Sequence, residues 1–260
     1  MHAHRVGRPY VSVIIPAYNE EQRLGRSVPA IADYFRQQGI DFEILVVDDG
    51  STDGTRRVAE HELRPHRGRV VAVAGNRGKG HAMRRGVEQA EGRWILMSDA
   101  DLSTPIEEYA RLAAAVRDSD LDLAIGSRGL PDSKIEVRQG KLRESMGKTF
   151  NHIMRLMTGL PFRDTQCGFK LMDRERVQPL FAKMVVDGFA FDVELLYLAT
   201  RFGLRVRELP IVWRNDSRSR VSMVTDPGRM LLDVLRIRWR FRRGAYNPDA
   251  APEPVDSGDA

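Results

Sequence analysis

Two aspartates separated by one residue are the strongest chemical signal in the chain. Asp99 and Asp101 follow the apolar segment 93–98. A turn can direct two carboxylates at this spacing to one point, and carboxylate oxygens are ligands that Mg²⁺ or Mn²⁺ takes together with substrate phosphates. Asp101 and its neighbours also fit a helix cap, because a helix is expected to begin near Pro105. Taken alone, the pair fits a metal site and a helix cap equally well.

A second acidic pair, Asp48 and Asp49, follows the apolar segment 42–48. The next residues, Gly50 and Ser51, complete a composition that is ordinary in turns. On these residues alone a structural turn is favoured over a binding role.

The glycine-rich segment 75–80 resembles a phosphate-binding loop. It lacks the G-x-x-x-x-G-K-[ST] spacing of a P-loop, so that site is disfavoured. Lys79 stays a candidate for steering a phosphate from the start of a helix, whereas His81 is expected to pack or lie at the surface.

The first half of the chain alternates between two kinds of segment. Short β-branched runs predict buried strands at 11–16, 42–48, 69–74, 93–98 and 121–127. Helices are expected between them at 20–38, 53–63, 79–91 and 105–118. Alternating strands and helices predict a mostly parallel, Rossmann-like α/β sheet flanked by helices. Such sheets bind ligands beyond the carboxyl ends of their strands, where the acidic clusters fall.

The second half of the chain is less regular. Residues 128–140 are expected to form a loop, followed by helices at 141–158, 173–184 and 189–202 and a strand at 204–213. The predicted organisation is a catalytic domain over 1–225, an amphipathic basic helix over 226–243 and a disordered tail over 244–260.

Composition limits the classes of function. The net charge of +5 and the pI near 9.5 suit an anionic partner, such as a nucleotide or a membrane surface. A nucleic-acid partner is not expected, because acids cluster at three strand ends and no known nucleic-acid module is present. A single cysteine, Cys167, fits a reducing compartment. The first ten residues lack the apolar core of a signal peptide, so secretion is not expected and we expect a cytoplasmic protein. A basic amphipathic segment near the C-terminus adds the expectation that it is peripheral on the cytoplasmic face of the membrane.

The basic segment 227–243 predicts an amphipathic helix. Met230, Val234, Ile237 and Phe241 fall on one helical face. This face is expected to lie in a membrane interface with Trp239 near the headgroups. The alternative is that the same face packs on the chain's own domain.

Four segments, taken together, resemble the family 2 glycosyltransferases. They read VSVIIPAYNEE, VVDDGSTDGT, GNRGKGHAMRRGV and DADLSTP, and the likeness spans about residues 10–220. The runs DTQCGFKLM and FAFDVELL further resemble the branch of dolichyl-phosphate β-glucosyltransferases and polyprenyl-phosphate sugar synthases. The resemblance implies a GT-A fold and an inverting, metal-dependent transfer of a hexose to polyprenyl or dolichyl phosphate.

The resemblance also implies a nucleotide-sugar site. Its expected members are Pro16, Ala17, Tyr18, Glu20, Asp48, Asp49, Lys79, Asp99, Ala100, Arg214 and Arg220. Asp99 and Asp101 would hold Mg²⁺ or Mn²⁺ on the donor diphosphate. Ser103 stands where the mannosyl branch has glutamine, which favours a UDP-sugar, with glucose or N-acetylhexosamine as the hexose, over GDP-mannose.

The acceptor implied by the resemblance is a lipid phosphate. Cations expected to hold it are Arg128, Arg138, Arg143 and Lys148. Because a phosphate oxygen is already anionic, no strong general base is needed. The residues expected to be catalytic are Asp101, Arg128 and Asp192, the last orienting the acceptor or a cation. Two alternatives stay open: GDP-mannose as donor, or a saccharide hydroxyl as acceptor with Asp192 as the base. A small membrane-protein partner is a further expectation.

Overall fold

The computed structural model describes residues 7–137, 141–214 and 226–247. The strands in these ranges are Val11–Ala17 (β1), Phe42–Asp48 (β2), Gly68–Ala72 (β3), Trp94–Met97 (β4), Leu123–Ser127 (β5), Lys134–Val137 (β6), Lys170–Asp173 (β7), Val206–Pro210 (β8) and Val212–Arg214 (β9). The α-helices are Glu21–Gln37 (α1), Thr55–Leu63 (α2), Lys79–Gln89 (α3), Tyr109–Ser119 (α4), Lys141–Thr158 (α5), Arg174–Lys183 (α6), Phe191–Arg201 (α7) and Asp226–Arg242 (α8). A 3-10 turn, Ile106–Glu108, leads into α4.

The main sheet of the described residues has seven strands in the order β3-β2-β1-β4-β7-β5-β8. Strands β1 to β4 run parallel to one another, and β5 runs parallel to β8. Strand β7 lies antiparallel between β4 and β5. The mostly parallel α/β sheet expected from the sequence is therefore confirmed.

Helices cover both faces of this sheet, which is why its central strands read as continuous apolar runs. Successive side chains of β1 point to opposite faces. Val13 and Ile15 pack in a core with α1, α2 and α4. Ile14 packs in a second core with α3, α6, α7 and α8.

The antiparallel strand β7 determines which residues reach the carboxyl ends of its neighbours. Its first residue, Lys170, pairs with Met97 at the end of β4 and with Ile125 in β5. The segment 164–169, which leads into β7, therefore arrives where the parallel strands leave the sheet. The sequence does not predict this strand, because four residues with a lysine and an aspartate at the ends carry little strand signal.

Two sequence predictions about the second half were wrong in part. Residues 128–140 were expected to be a loop, but residues 134–137 within them form β6, which pairs with β9. The expected strand at 204–213 is two strands, separated at Ile211. Strand β6 is mostly exposed and therefore lacks an apolar pattern that could reveal it.

The apolar face of α8 packs on the domain and does not face outward. Met230, Val234 and Ile237 are buried in the core, and the ring of Phe241 lies edge-on to that of Tyr197. The prediction that this face lies in a membrane interface was therefore wrong, and the alternative of packing on the chain's own domain is confirmed. No helix among the described residues is long and apolar enough to span a membrane.

The predicted disordered tail starts too early at residue 244. Tyr246 is buried, and its hydroxyl donates to Oε1 of Glu194 at 2.6 Å. Burial of this aromatic ring anchors the chain just after α8. Residues 248–260 of the predicted tail lie outside the described residues.

Candidate active site

The acidic clusters meet at the carboxyl edge of the central parallel strands. Ala17 at the end of β1 pairs with Asp48 at the end of β2, and β4 runs parallel on the other side of β1. Asp99 and Asp101 follow β4 directly, with Ala100 buried between them. The edge thus gathers carboxylates from two strand ends, as expected of a ligand site in a parallel sheet.

Lys79 and Asp99 form an ion pair at this edge. The Lys79 Nζ lies 2.6 Å from Oδ1 of Asp99, and Lys79 is the first residue of α3. Burial acts to lower the pKa of the Lys79 ammonium, but the carboxylates of Asp99 and Asp192 outweigh it and raise the pKa above its ordinary value. The site therefore holds a fixed positive charge beside one of the two candidate metal ligands.

Asp101 accepts a hydrogen bond from the backbone N–H of Ser103 at 2.8 Å. Burial and the negative charge of Asp99 raise the pKa of Asp101, so the two carboxylates oppose each other. A divalent cation between them would relieve this repulsion, and hard oxygen ligands suit Mg²⁺ or Mn²⁺. The described side chains make no cap on the 3-10 turn that begins at Ile106, which removes the support for the helix-cap alternative.

The described residues contain no cluster of three or more acidic, histidine or cysteine side chains that could bind a metal by itself. Asp99 and Asp101 therefore fit a cation that takes its other ligands from phosphate oxygens and water, which is how Mg²⁺ usually binds beside a nucleotide.

Gly168 makes room for the Asp99 carboxylate. A Cβ atom at Gly168 would lie 2.0 Å from Oδ2 of Asp99. Any side chain here would therefore displace a candidate metal ligand. Glycine is needed at position 168 because the Asp99 carboxylate lies so close to its backbone, and not because the backbone angle is unusual.

The second acidic pair shapes the loops of the site. Asp48 accepts from the backbone N–H of Ser51 at 3.0 Å. Asp49 accepts from the backbone N–H groups of Arg77 and Gly78 at 3.2 and 2.6 Å. Asp49 thus fixes the segment that leads into Lys79. Its expected contact with the nucleotide base stays a prediction.

The end of β1 holds the other residues predicted for the nucleotide pocket. Pro16 and Ala17 are the last two residues of the strand, and Tyr18 follows at the same edge. The Glu20 carboxylate pairs with Arg23 at 2.7 Å, one turn into α1. Their contacts with a nucleotide stay predictions.

Lys170 and Asp192 form an ion pair that is almost wholly buried. The side chain of Lys170 is 0% exposed and that of Asp192 is 4% exposed. The ammonium also donates to the carbonyl oxygen of Cys167 at 2.5 Å. Burial raises the pKa of Asp192, and the positive charges of Lys170 and Lys79 oppose that rise. Asp192 therefore has a cationic partner within the chain.

Arg128 lies beyond the end of β5, where it is clamped by Asp164. Its Nε and Nη2 atoms donate to the two Asp164 carboxylate oxygens at 2.6 and 2.9 Å. The guanidinium also lies 5.6 Å from the centroid of the Trp213 ring. Burial acts to raise the pKa of Asp164, but Arg128 outweighs it and lowers that pKa below its ordinary value. Arg128 is thus a fixed cation at the same edge of the sheet.

The remaining predicted cations are less well placed or not described. Arg214 is exposed, and its Nε donates to Oε2 of Glu136 at 2.6 Å. Its backbone N–H donates to the carbonyl of Ser103 at 2.7 Å, which ties β9 to the turn after Asp101. Arg138 and Arg220 lie outside the described residues, as do the side chains of Arg143 and Lys148 on α5.

Three residues of the site were not singled out by the sequence analysis: Asp164, Gly168 and Lys170. All three belong to the run DTQCGFK, which was used only to indicate a branch of the family. Their roles depend on β7 running antiparallel beside β4, which brings this run to the acidic edge. The run has no strand pattern, so nothing in the sequence signalled that Lys170 is buried and needs a carboxylate partner.

A GT-A type fold with acidic clusters at the carboxyl edge defines a class of nucleotide-sugar-dependent transferases. The model of the family described as glycosyl transferase family 2 matches residues 12–181. The chain belongs to this family and is a glycosyltransferase.

The curated relatives with similar sequences fall in one branch of the family. The dolichyl-phosphate beta-glucosyltransferase of Dictyostelium discoideum is 32% identical over 249 residues, covering 91% of this chain and 76% of that protein. The protein with the same name from Drosophila melanogaster is 35% identical over the same length and with the same coverage.

The solved structures support the fold. The glucosyl-3-phosphoglycerate synthase of Mycobacterium tuberculosis, crystallised with Mn²⁺, UDP-glucose and glycerol 3-phosphate, superposes with a TM-score of 0.66 and 22% identity. The match covers 92% of this chain and 82% of that one.

Proposed function

We propose that this chain transfers glucose from UDP-glucose to a polyprenyl or dolichyl phosphate, with inversion at the anomeric carbon. The observation that carries the proposal is the match to dolichyl-phosphate beta-glucosyltransferases over 91% of the chain. The sheet edge described above supplies the charges that such a reaction needs. A lipid acceptor also places the reaction at a membrane surface, which we take to be the cytoplasmic face.

We assign binding of the nucleotide-sugar donor to the residues that follow β1, β2 and β4. Asp99 and Asp101 would hold Mg²⁺ or Mn²⁺, which supplies positive charge to the donor diphosphate. The M. tuberculosis structure of the same fold contains Mn²⁺ and UDP-glucose, which supports this choice of ligands. Lys79, at the first turn of α3, provides a second positive charge where the helix dipole already favours an anion.

Arg128 is the residue best placed to bind the acceptor phosphate. Its guanidinium is oriented by both oxygens of Asp164 and rests against Trp213, so little of its side-chain freedom is left to lose on binding. A fixed arginine suits a phosphate, because its N–H groups match phosphate oxygens. We assign Arg128 to the acceptor phosphate, with Arg143 and Lys148 on α5 as further candidates.

The bond changes follow from these placements. An oxygen of the acceptor phosphate attacks the anomeric carbon of glucose from the side opposite the diphosphate. The new carbon–oxygen bond forms as the bond to the UDP oxygen breaks, and UDP leaves with the electron pair. Lys79 stabilises the charge that grows on the leaving diphosphate, which is the largest electrostatic demand of the step. No proton has to be removed from the nucleophile.

The state of Asp192 favours this acceptor over a saccharide hydroxyl. A hydroxyl acceptor requires a base that can take its proton, and the Asp192 carboxylate is held by the buried ammonium of Lys170. We therefore assign Asp192 to positioning, through the row of alternating charges Asp99, Lys79, Asp192 and Lys170. The preference for UDP over GDP rests on Ser103 and on the UDP-glucose in the M. tuberculosis structure of the same fold.

Incubation with radiolabelled donors tests this function. The full chain is incubated with Mn²⁺, polyprenyl phosphate and either UDP-glucose, UDP-N-acetylglucosamine or GDP-mannose, and label in the organic phase is counted. We expect label from UDP-glucose only, released by mild acid as glucose. Label from GDP-mannose alone, or no lipid-linked label from any donor, would overturn the proposal.

A further inference from the structure

The outward side of α8 carries a second amphipathic pattern, opposite the face that packs on the domain. Among residues 228–243, whose side chains the structure describes, the exposed positions are Gly228, Arg229, Leu232, Leu235, Arg236, Trp239, Arg242 and Arg243. At 3.6 residues per turn they occupy an arc of roughly 140°. We call this arc the outer stripe of α8.

The outer stripe has an apolar centre. Leu232, Leu235 and Trp239 are 67%, 54% and 50% exposed, and they lie within about 60° of one another on the helical wheel. Three large apolar side chains in one row are more than scattered surface residues, because a soluble protein rarely leaves such a row in water without a use for it. The neighbouring helix α5 also exposes Leu156, at 71%.

Arginines flank this centre on both sides. Arg242 lies on one side of the apolar row, and Arg229, Arg236 and Arg243 lie on the other. The Arg243 guanidinium stacks 4.0 Å above the Trp239 ring. The exposed side chains of the described part of α8 include no acid. The partly buried acid on this helix, Asp233, interacts electrostatically with Arg236, whose positive charge opposes the rise in the Asp233 pKa that burial causes.

We propose that the outer stripe of α8 docks on an anionic lipid bilayer. The apolar row would enter the interface, and the arginines on each side would reach the lipid phosphates, as in interfacial amphipathic helices. Because Met230, Val234 and Ile237 anchor the other side of α8 in the core, docking fixes the whole domain on the membrane and not only a mobile helix.

This inference adds a membrane-binding surface to the proposed function, and one part of it rests on that function. Docking would hold the domain beside a bilayer that contains the lipid acceptor. Vesicle binding is measured without donor or acceptor, so a failure of the transfer reaction leaves the docking test intact.

Sedimentation with vesicles tests the surface directly. The full chain is mixed with vesicles of phosphatidylcholine containing about one third phosphatidylglycerol, and with vesicles of phosphatidylcholine alone. We expect binding to the anionic vesicles. Neutralising two arginines, Arg236→Gln with Arg242→Gln, should weaken binding about 30-fold, since each basic residue near an anionic surface contributes roughly 1 kcal/mol.

A matched control lies on the other face of the sheet. Arg56→Gln with Arg117→Gln removes two exposed arginines from α2 and α4 and should leave vesicle binding within about twofold of the unchanged chain. Leu235→Ser with Trp239→Ser should reduce binding at least tenfold while leaving circular dichroism and transfer to a detergent-soluble short prenyl phosphate unchanged, because both side chains are exposed.

Three results would overturn the proposal. One is no binding to anionic vesicles by the full chain. Another is an equal effect of the α8 variants and the control on sedimentation. The third is that the outer stripe binds duplex DNA or a second copy of the chain and does not bind vesicles.

Discussion

The ammonium of Lys170 and the carboxylate of Asp192 form a buried ion pair that joins β7 to the first turn of α7. Neither side chain is more than 4% exposed. Lys79 interacts with both Asp99 and Asp192, so the charges alternate from the candidate metal ligand Asp99 into the core. The negative charge of Asp192 is therefore balanced by a lysine of the same chain.

The pair predicts a strong coupling between two substitutions. Lys170→Met or Asp192→Asn alone leaves one buried charge without its partner, which should lower the free energy of unfolding by about 3–5 kcal/mol. The double variant removes both charges, so its loss should fall short of the sum by about 2–3 kcal/mol. Urea unfolding of the four proteins measures this cycle. Strictly additive losses would mean that the two side chains do not interact.

Substitution of Gly168 is expected to weaken metal binding while the chain still folds. In Gly168→Ala the new methyl group would overlap the Asp99 carboxylate and force it out of its present position. We expect affinity for Mn²⁺ in the presence of UDP, measured by electron paramagnetic resonance, to fall at least tenfold. Gly188→Ala is the control, because a Cβ there meets nothing within 4 Å. Unchanged Mn²⁺ affinity in Gly168→Ala would contradict the close approach.

Substitution of Asp101 is expected to cause the largest loss of glucose transfer. Asp101→Ala removes one of the two carboxylates proposed to hold the metal, so transfer should fall by about 10³-fold, the scale of losing a main electrostatic contact at the reacting centre. The assay is transfer of labelled glucose at saturating Mn²⁺. Asp33→Ala, an exposed carboxylate on α1, serves as the control. Activity of Asp101→Ala within tenfold of the unchanged chain would argue against a metal at this pair.

The carboxylate of Asp164 is expected to make the free energy of unfolding depend on pH in the acid range. Burial acts to raise its pKa, but Arg128 outweighs burial and holds the pKa below its ordinary value. Such a group binds fewer protons in the folded chain than in the unfolded chain. Its contribution to stability is complete above the unfolded pKa of about 3.9 and is lost as the pH falls through the folded pKa.

The corresponding experiment compares the unchanged chain with Asp164→Asn between pH 6 and pH 2.5. We expect the unfolding free energy of the unchanged chain to fall more steeply with acid than that of the variant, so the difference between them narrows at low pH. Parallel curves over the whole range would show that Arg128 does not depress this pKa.

The sequence was sufficient for the parts of the fold that depend on local pattern. Buried parallel strands such as β1 and β2 are apolar on both faces, and the helices between them have clear periods, so the sheet and its acidic edge could be predicted. Asp99 was found because it closely follows such a strand, and Lys79 because it lies at the start of such a helix, after a glycine-rich segment. The pairing of Lys170 with Asp192 joins residues 22 positions apart through an antiparallel strand that has no pattern of its own.

The helix α8 shows a different limit of sequence reasoning. Its sequence has apolar residues on two opposite sides, and periodicity gives no rule for which side packs inward. The larger row of Met230, Val234, Ile237 and Phe241 was assigned to the membrane, and the structure places it against the domain. Only the packed fold identifies Leu232, Leu235 and Trp239 as the exposed row.

In the proposed reaction the nucleophile is a phosphate oxygen that needs no base. The most direct measurement is the initial rate of glucose transfer from UDP-glucose to a short prenyl phosphate and to the matching prenyl alcohol, for the unchanged chain and for Asp192→Asn, with circular dichroism confirming that the variant is folded. We predict transfer to the phosphate only, with the variant within about tenfold of the unchanged chain. Loss of a general base costs about 10²–10⁴-fold, so transfer to the alcohol that disappears in Asp192→Asn would contradict the account.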